Sequence, residues 1–241
     1  MTDVNPPAPE ASHGLRLSPA RSIAIAVTVV IVVLLSLAVG RLTAPNPAPP
    51  STISAEAGFA RDMQEHHNQA VELALIVRDR TDDPDTRLLA YDIATSQSQQ
   101  SGQMFGWLAE WGLPQAPAEP SMTWMLRPPL GGGGGHSDTG HGDTGDGGSV
   151  DGAMPDMAMP GMAMPGMATR EQILQLEGLS GQSAEIRFLE LMIAHHRGGV
   201  EMAAAILERS DVNVVSDLAS GILSVQESEI ALMERMLAER R

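Results

Sequence analysis

Two pairs of adjacent histidines are the residues of this 241-residue sequence whose types and spacing could do chemistry. His66-His67 and His195-His196 lie 129 positions apart, and Met63 and Met192 each precede the first histidine of a pair by three residues. Imidazole nitrogen suits Cu, Zn, Ni and Fe, whereas thioether sulfur selects Cu(I). Residues three or four apart share one face of a helix, so each methionine could join its histidines at one ion. The chain has no cysteine, and the donor set therefore indicates copper.

The histidine pairs belong to one duplicated unit. The offset of 129 residues persists without an insertion or deletion through about 55 residues of each copy. The matched positions are Phe59 and Phe188, Met63 and Met192, Val71 and Val200, Ile93 and Ile222, Gln97 and Gln226, Met104 and Met233, and Leu108 and Leu237. The chemistry of one copy should therefore recur in the other.

Apolar residues at spacings of three and four predict two helices in each copy. The first copy runs from a cap at Ser54 to a short turn before Pro84 and continues as a second helix. The second copy is expected to begin with a cap at Ser183. A short connection makes the two helices of each copy antiparallel neighbours, and two hairpins with one apolar stripe each close into an all-α four-helix bundle.

The hairpin geometry predicts a polar layer at the same depth in both copies. Counting outward from each turn places His66 beside Gln97 and Gln100, and His195 beside Gln226 and Glu229. One histidine of each pair should point into the seam and the other onto its shoulder. An unpartnered buried polar group costs about 1–3 kcal/mol, so either a hydrogen-bonded network of His and Gln with waters or a metal ion should satisfy the layer. Glu229 is a candidate ligand, and Met104 and Met233 are either ligands or core residues.

The segment 113–168 is of low complexity and is predicted to be disordered. His136 and His141 alternate with carboxylates there and are candidate Cu(II) ligands. Six methionines set among Pro and Gly are candidate Cu(I) ligands or the product of a low-complexity expansion, because a segment without a core cannot use them for packing. They are Met154, Met157, Met159, Met162, Met164 and Met167.

The N-terminal part predicts export. The stretch 22–40 has no charged residue and nearly matches the hydrocarbon thickness of a bilayer. Arg16 and Arg21 precede it and Arg41 follows, which favours a cytoplasmic N-terminus and an extracytoplasmic remainder. A signal peptide is the alternative. The net charge of -15 argues against a nucleic-acid partner.

Six segments follow from these patterns. They are a cytoplasmic tail (1–21), a transmembrane anchor or signal (22–40), a Pro-rich spacer (41–53), the first helical hairpin (54–112), the Gly-, His- and Met-rich linker (113–168) and the second helical hairpin (169–241).

A di-iron oxidase is the enzymatic alternative, because such bundles place Glu-x-x-His motifs on two helices. The duplicates argue against it: Glu65 is matched by Ala194, and Asp62 by Leu191. Glu229 alone is too few carboxylates for a di-iron centre. The sequence therefore does not predict an enzyme.

The second copy resembles the family called domain of unknown function 305. The resemblance lies in Phe188, Met192, His195 and His196, followed by Gln226, Glu229, Ile230 and Met233, and the first copy departs from it with Gln100 in place of the glutamate. It implies a ferritin-like fold of two hairpins in an exported protein, and some members resemble periplasmic copper-binding proteins.

Together these observations predict an extracytoplasmic protein that binds copper and sequesters it or passes it on. The bundle would hold the ion through its four histidines with Met63 and Met192. Its partners would be the metal ion and, through the N-terminal helix, the membrane, and a homo-oligomer is left open. A protein-protein interaction module without metal, whose polar layer only fixes helix register, is the alternative.

Overall fold

The computed structural model describes residues 19–43, 48–131 and 164–241. The chain divides into two compact units, Met1–Ala48 and Pro49–Arg241. The first unit contains helix α1 (Pro19–Thr43), which extends the predicted segment 22–40 by three residues at each end. Its stretch Ile23–Arg41 has a mean hydropathy of 3.0 and is long enough to cross a membrane, although a signal sequence passes the same test. Candidate cytoplasmic residues before Pro19 lie outside the described residues.

The second unit is a bundle of four long helices. They are α2 (Ala55–Arg78), α3 (Pro84–Glu110), α5 (Gln182–Leu207) and α6 (Asn213–Glu239), with the short α4 (Arg170–Glu177) before α5. The residues described contain helices and no strand. The predicted all-α fold of two duplicated hairpins is confirmed.

Side-chain caps lie at the starts of α2, α3 and α4. The Ser54 side chain accepts a hydrogen bond from Ala57 N, and Pro84 lies in the first turn of α3, as the sequence predicts, while Asp83 provides the cap of α3. The predicted cap at Ser183 is wrong. Helix α5 begins at Gln182, two residues earlier than a cap at Ser183 would place it. It follows Gly181, whose positive φ of 56° suits glycine and whose N–H donates to Arg80 O at 2.7 Å. This tertiary contact with the turn after α2 sets where α5 starts.

Helices α2 and α5 form the centre of the bundle, with α3 packed on α2 and α6 packed on α5. The core has two halves. One half joins the C-terminal part of α2 to the N-terminal part of α5, around Leu73 and Phe188, and the other contains Phe59 and Ile206. Helices α2 and α5 are therefore antiparallel, and the duplicated residues face one another across a local two-fold axis.

Residues after α3 are packed on the bundle, which contradicts the prediction that the linker 113–168 is disordered throughout. Trp124 is 2% exposed and packs edge-on against Phe59. The buried Asp62 carboxylate accepts hydrogen bonds from Met122 N at 2.7 Å and Trp124 Nε1 at 2.9 Å, and burial raises the pKa of Asp62. Leu191 stands at the duplicate position, so only the first copy can anchor a loop in this way.

A polar network joins the two hairpins at one end of the bundle. The buried Glu185 accepts hydrogen bonds from Thr81 Oγ1 at 2.5 Å and from Arg240 Nε at 2.8 Å. Arg240 also contacts Asp83, the cap of α3, at 2.8 Å. The C-terminus of α6 is thereby tied to the turn of the first hairpin, which fixes the depth at which the two copies meet.

Candidate metal site

The four histidines lie together at the middle of the bundle, and all four are 0% exposed. The rings of His66 and His195 face each other with centroids 3.8 Å apart. His67 lies 6.4 Å from His66, and His196 lies 6.4 Å from His195. The second histidine of each pair, predicted at the shoulder of the seam, is as buried as the first because α3 and α6 cover it. The duplication thus produces a central pair with one flanking imidazole on each side.

Three of these imidazoles donate a hydrogen bond through Nε2 to an oxygen atom. His195 Nε2 donates to the His66 carbonyl at 2.9 Å, His66 Nε2 donates to the Pro165 carbonyl at 3.1 Å, and His196 Nε2 donates to Glu229 Oε2 at 2.7 Å. Carbonyl and carboxylate oxygens only accept, so the proton is assigned to Nε2 in each case. Metal-binding histidines use this arrangement, in which an oxygen holds one ring nitrogen and orients the other.

The remaining ring nitrogens make no hydrogen bond of good geometry to the protein. They are the buried Nδ1 of His66, His195 and His196 and both ring nitrogens of His67. The Gln100 side chain nevertheless lies close enough to His67 to act on its pKa. The side-chain amides of Gln97 and Gln226 are also buried without a hydrogen bond. Each such atom costs about 1–3 kcal/mol. Direct hydrogen bonds among the described His and Gln side chains therefore do not satisfy the layer, which leaves ordered water or a metal ion as the partner of these atoms.

Burial favours the neutral form of three imidazoles, those of His66, His67 and His195. It lowers the pKa of His66 to about 4 and that of His67 to about 3, and it lowers the pKa of His195 well below its ordinary value. The neighbouring histidines act in the same direction, whereas the Pro165 carbonyl and the Gln100 side chain oppose the shifts at His66 and His67. A neutral imidazole is the form that binds metal, so these donors compete little with protons near pH 7.

Thioethers flank the histidines along the helices. Met63 and Met192 are fully buried one turn before His66 and His195. Met104 and Met233 are also fully buried and lie in different halves of the core, which agrees with a packing role. Met164 is 6% exposed and packs in the core half of Met63, with Met167 partly buried against it. The expectation that no linker methionine has a core to pack in is therefore wrong for Met164.

Six of the predicted ligands fall outside the described residues. They are His136, His141, Met154, Met157, Met159 and Met162.

The structure does not bring the predicted donors to one point. No three His, Asp or Glu side chains within residues 19–43, 48–131 and 164–241 are placed to hold a single ion. Glu229 lies behind His196 as its hydrogen-bond partner. The central imidazoles of His66 and His195 face each other, and the unpaired ring nitrogens are the candidate donors to a metal ion. Since all four imidazoles are fully buried, an ion reaches them only after a local opening of the fold.

Sequence reasoning missed the residues that complete the site. A five-residue strap, Met164–Ala168, crosses the bundle at His66, and Gln69 holds it through Ala168 N at 2.6 Å and Ala168 O at 2.9 Å. An ideal Cβ on Gly198 would lie 1.9 Å from the Pro165 carbonyl, so α5 accepts the strap only with glycine there. The duplication contained a signal for this strap, because Gly198 is matched by Gln69 and the two copies differ in size and polarity at this position.

This combination defines a class of protein, a helical bundle of two duplicated hairpins with paired histidines buried where the copies meet. The chain belongs to the family described as "Domain of unknown function (DUF305)", whose profile matches residues 56–237. The resemblance seen in the sequence is thereby confirmed. No curated protein matches the chain.

Solved structures share this fold. A DUF305 protein of Streptomyces coelicolor, described as a candidate secreted protein, is 46% identical, with 79% of this chain and 96% of that chain covered and a TM-score of 0.63. A DUF305 fragment from Deinococcus radiodurans is 30% identical, with 80% and 99% covered and a TM-score of 0.55. CopM in its Cu(II)-bound form is 18% identical, with 78% and 98% covered and a TM-score of 0.51, and this similarity shows the fold alone.

Proposed function

We propose that this protein binds copper through the histidines at the centre of the bundle and sequesters it or passes it on. The observation that carries the proposal is the tautomer pattern. His66, His195 and His196 each donate Nε2–H to an oxygen and keep a buried, unpaired Nδ1. The oxygen behind each imidazole fixes the proton on Nε2 and leaves the Nδ1 lone pair available to an ion.

The choice of copper rests on the chemistry of the donors. Imidazole nitrogen binds both oxidation states, and the buried thioethers of Met63 and Met192 add preference for Cu(I). CopM, whose fold this chain shares, has been solved with Cu(I) and with Cu(II). Bound copper would supply a soft Lewis-acid centre that links α2 to α5, and the residues behind the imidazoles would keep the donor nitrogens oriented.

The proposed location is extracytoplasmic. Helix α1 would either anchor the chain in the membrane or act as a signal that is removed. Both alternatives place the bundle outside the cytoplasm, and the Streptomyces relative described as a candidate secreted protein supports this placement. The histidines and methionines of the linker, including His136 and His141, would then offer further copper ligands.

The test is thermal unfolding of the full chain in detergent with Cu(I), Cu(II), Zn(II) or no metal. A metal that binds only the native state at 100 times its dissociation constant adds about 2.7 kcal/mol to the free energy of unfolding. The wild type and a variant lacking residues 132–163 should both gain stability with copper. A variant with glutamine at all four bundle histidines should not.

Two results would contradict the proposal. A copper-dependent gain that persists in the four-histidine variant would remove the bundle site. No gain with any metal in the wild type would favour the interaction module, in which the buried layer only sets helix register.

A further inference from the structure

The strap Met164–Ala168 lies against the central histidine pair and is held at both of its ends. Met164 is buried in the core, the Pro165 carbonyl accepts the hydrogen bond from His66 Nε2 at 3.1 Å, and Gln69 makes two hydrogen bonds to the backbone of Ala168. The strap is thus fixed at three points around one imidazole.

Helix α5 accommodates this strap because Gly198 has no side chain in the space that the strap occupies. An ideal Cβ on Gly198 would lie 1.9 Å from Pro165 O, and one on Gly166 would lie 2.2 Å from Ala194 O. Gly166 also has a φ of +75°, a conformation that other residues rarely adopt. Glycine inside a helix costs roughly 1 kcal/mol relative to alanine, so Gly198 needs a compensating reason, and the close approach of the strap provides it.

The two copies are not equivalent at this place. Glu65 and Gln69 of the first copy stand at the positions of Ala194 and Gly198. Their larger side chains leave no comparable space for a backbone segment against α2. The hydrogen bonds differ accordingly. His195 donates to a carbonyl of the opposite helix, that of His66, whereas His66 donates to Pro165. The strap therefore supplies the acceptor for His66, whereas the opposite helix supplies the acceptor for His195.

We propose that the strap is a positioning element of the metal site: its Pro165 carbonyl holds His66 with the proton on Nε2 and so presents Nδ1 as the lone pair that binds metal. The tautomer of His66 is a property of the metal-free protein. Only the effect of the strap on copper affinity rests on the proposed copper function. The strap acts through His66 and does not itself need to touch the ion.

The test displaces the strap without changing any donor. Gly198→Ala places a methyl group against Pro165 O, whereas Gly221→Ala, in α6 with open space around it, is the matched control with the same gain in helix propensity. Gln69→Ala removes the clamp on Ala168 without adding bulk, and it decides the question if Gly198→Ala does not fold. All are made in the full chain in detergent.

The first readout is the tautomer, from the ring 15N and 1H signals of the histidines without metal. The wild type and Gly221→Ala should show His66 with its proton on Nε2. Gly198→Ala and Gln69→Ala should shift His66 towards a mixture of tautomers and leave His195 unchanged. A His66 signal that stays as in the wild type in both strap variants overturns the inference.

The second readout is copper affinity, which should fall about 10- to 100-fold in the two strap variants and stay unchanged in Gly221→Ala. The two proposals fail separately. If the tautomer of His66 shifts but the wild type binds no copper, the copper function is overturned and the strap still positions His66. If the wild type binds copper and neither the tautomer nor the affinity responds to the strap variants, the strap inference is overturned and the copper function remains.

Discussion

Acidification should destabilise this bundle because the buried histidines must stay neutral for it to fold. The folded-state pKa is lowered to about 4 for His66 and about 3 for His67, and well below the ordinary 6.5 for His195. Below pH 6.5 the unfolded chain takes up these protons and the folded chain does not. Stability is therefore fully present above pH 6.5 and is lost as the pH falls from there towards the folded-state pKa values.

The size of the loss follows from His66 and His67, whose folded-state pKa values are about 4 and about 3. Each should cost about 0.8 kcal/mol at pH 6 and about 2 kcal/mol at pH 5, which gives roughly 1.6 and 4 kcal/mol for the pair. The larger figure is a large fraction of the stability of a small domain. His195 acts in the same direction. Asp62, whose pKa is raised by burial, acts in the opposite direction and reduces the net loss.

The assay is denaturant unfolding of the metal-free full chain in detergent between pH 8 and pH 5. We expect the free energy of unfolding to fall steeply below pH 6.5. His67→Gln should reduce the difference between pH 8 and pH 5 by roughly 2 kcal/mol, whatever its effect on stability at pH 8. A free energy that stays flat from pH 7 to pH 5 in the wild type would refute the reasoning, since it would mean that the folded protein accepts these protons.

Two further predictions concern the parts that hold the site in place, each measured by thermal unfolding. Gly58→Ala should cost about 1–3 kcal/mol, because an ideal Cβ there would lie 2.6 Å from Trp124 Cβ, whereas Gly102→Ala in open space on α3 should stabilise slightly; equal effects would contradict the close packing of Trp124. Glu185→Ala should cost about 1–3 kcal/mol, because Arg240 and Thr81 lose a hydrogen-bond acceptor while Asp83 still pairs with Arg240, and a loss below 1 kcal/mol would show that the network is solvated.

The helical hairpins follow from local chemistry and could be predicted. The 3- and 4-residue spacing of apolar residues fixes the helices, and Ser54 and Pro84 fix two of their starts, because capping and proline act within one turn. Ser183 failed as a cap because a residue far along the chain, Arg80, holds Gly181 in the preceding turn. A local pattern cannot contain that contact.

The candidate metal site, like the fold, could be predicted only in part from local sequence patterns. The sequence by itself determined that two histidine pairs would meet in a buried layer, because a duplication with a constant offset repeats the same face at the same depth. Only the tertiary structure decided that His66 and His195 face each other and that Pro165 reaches His66. Such contacts depend on where the backbone of a distant segment passes, and side-chain type along one helix does not encode that path.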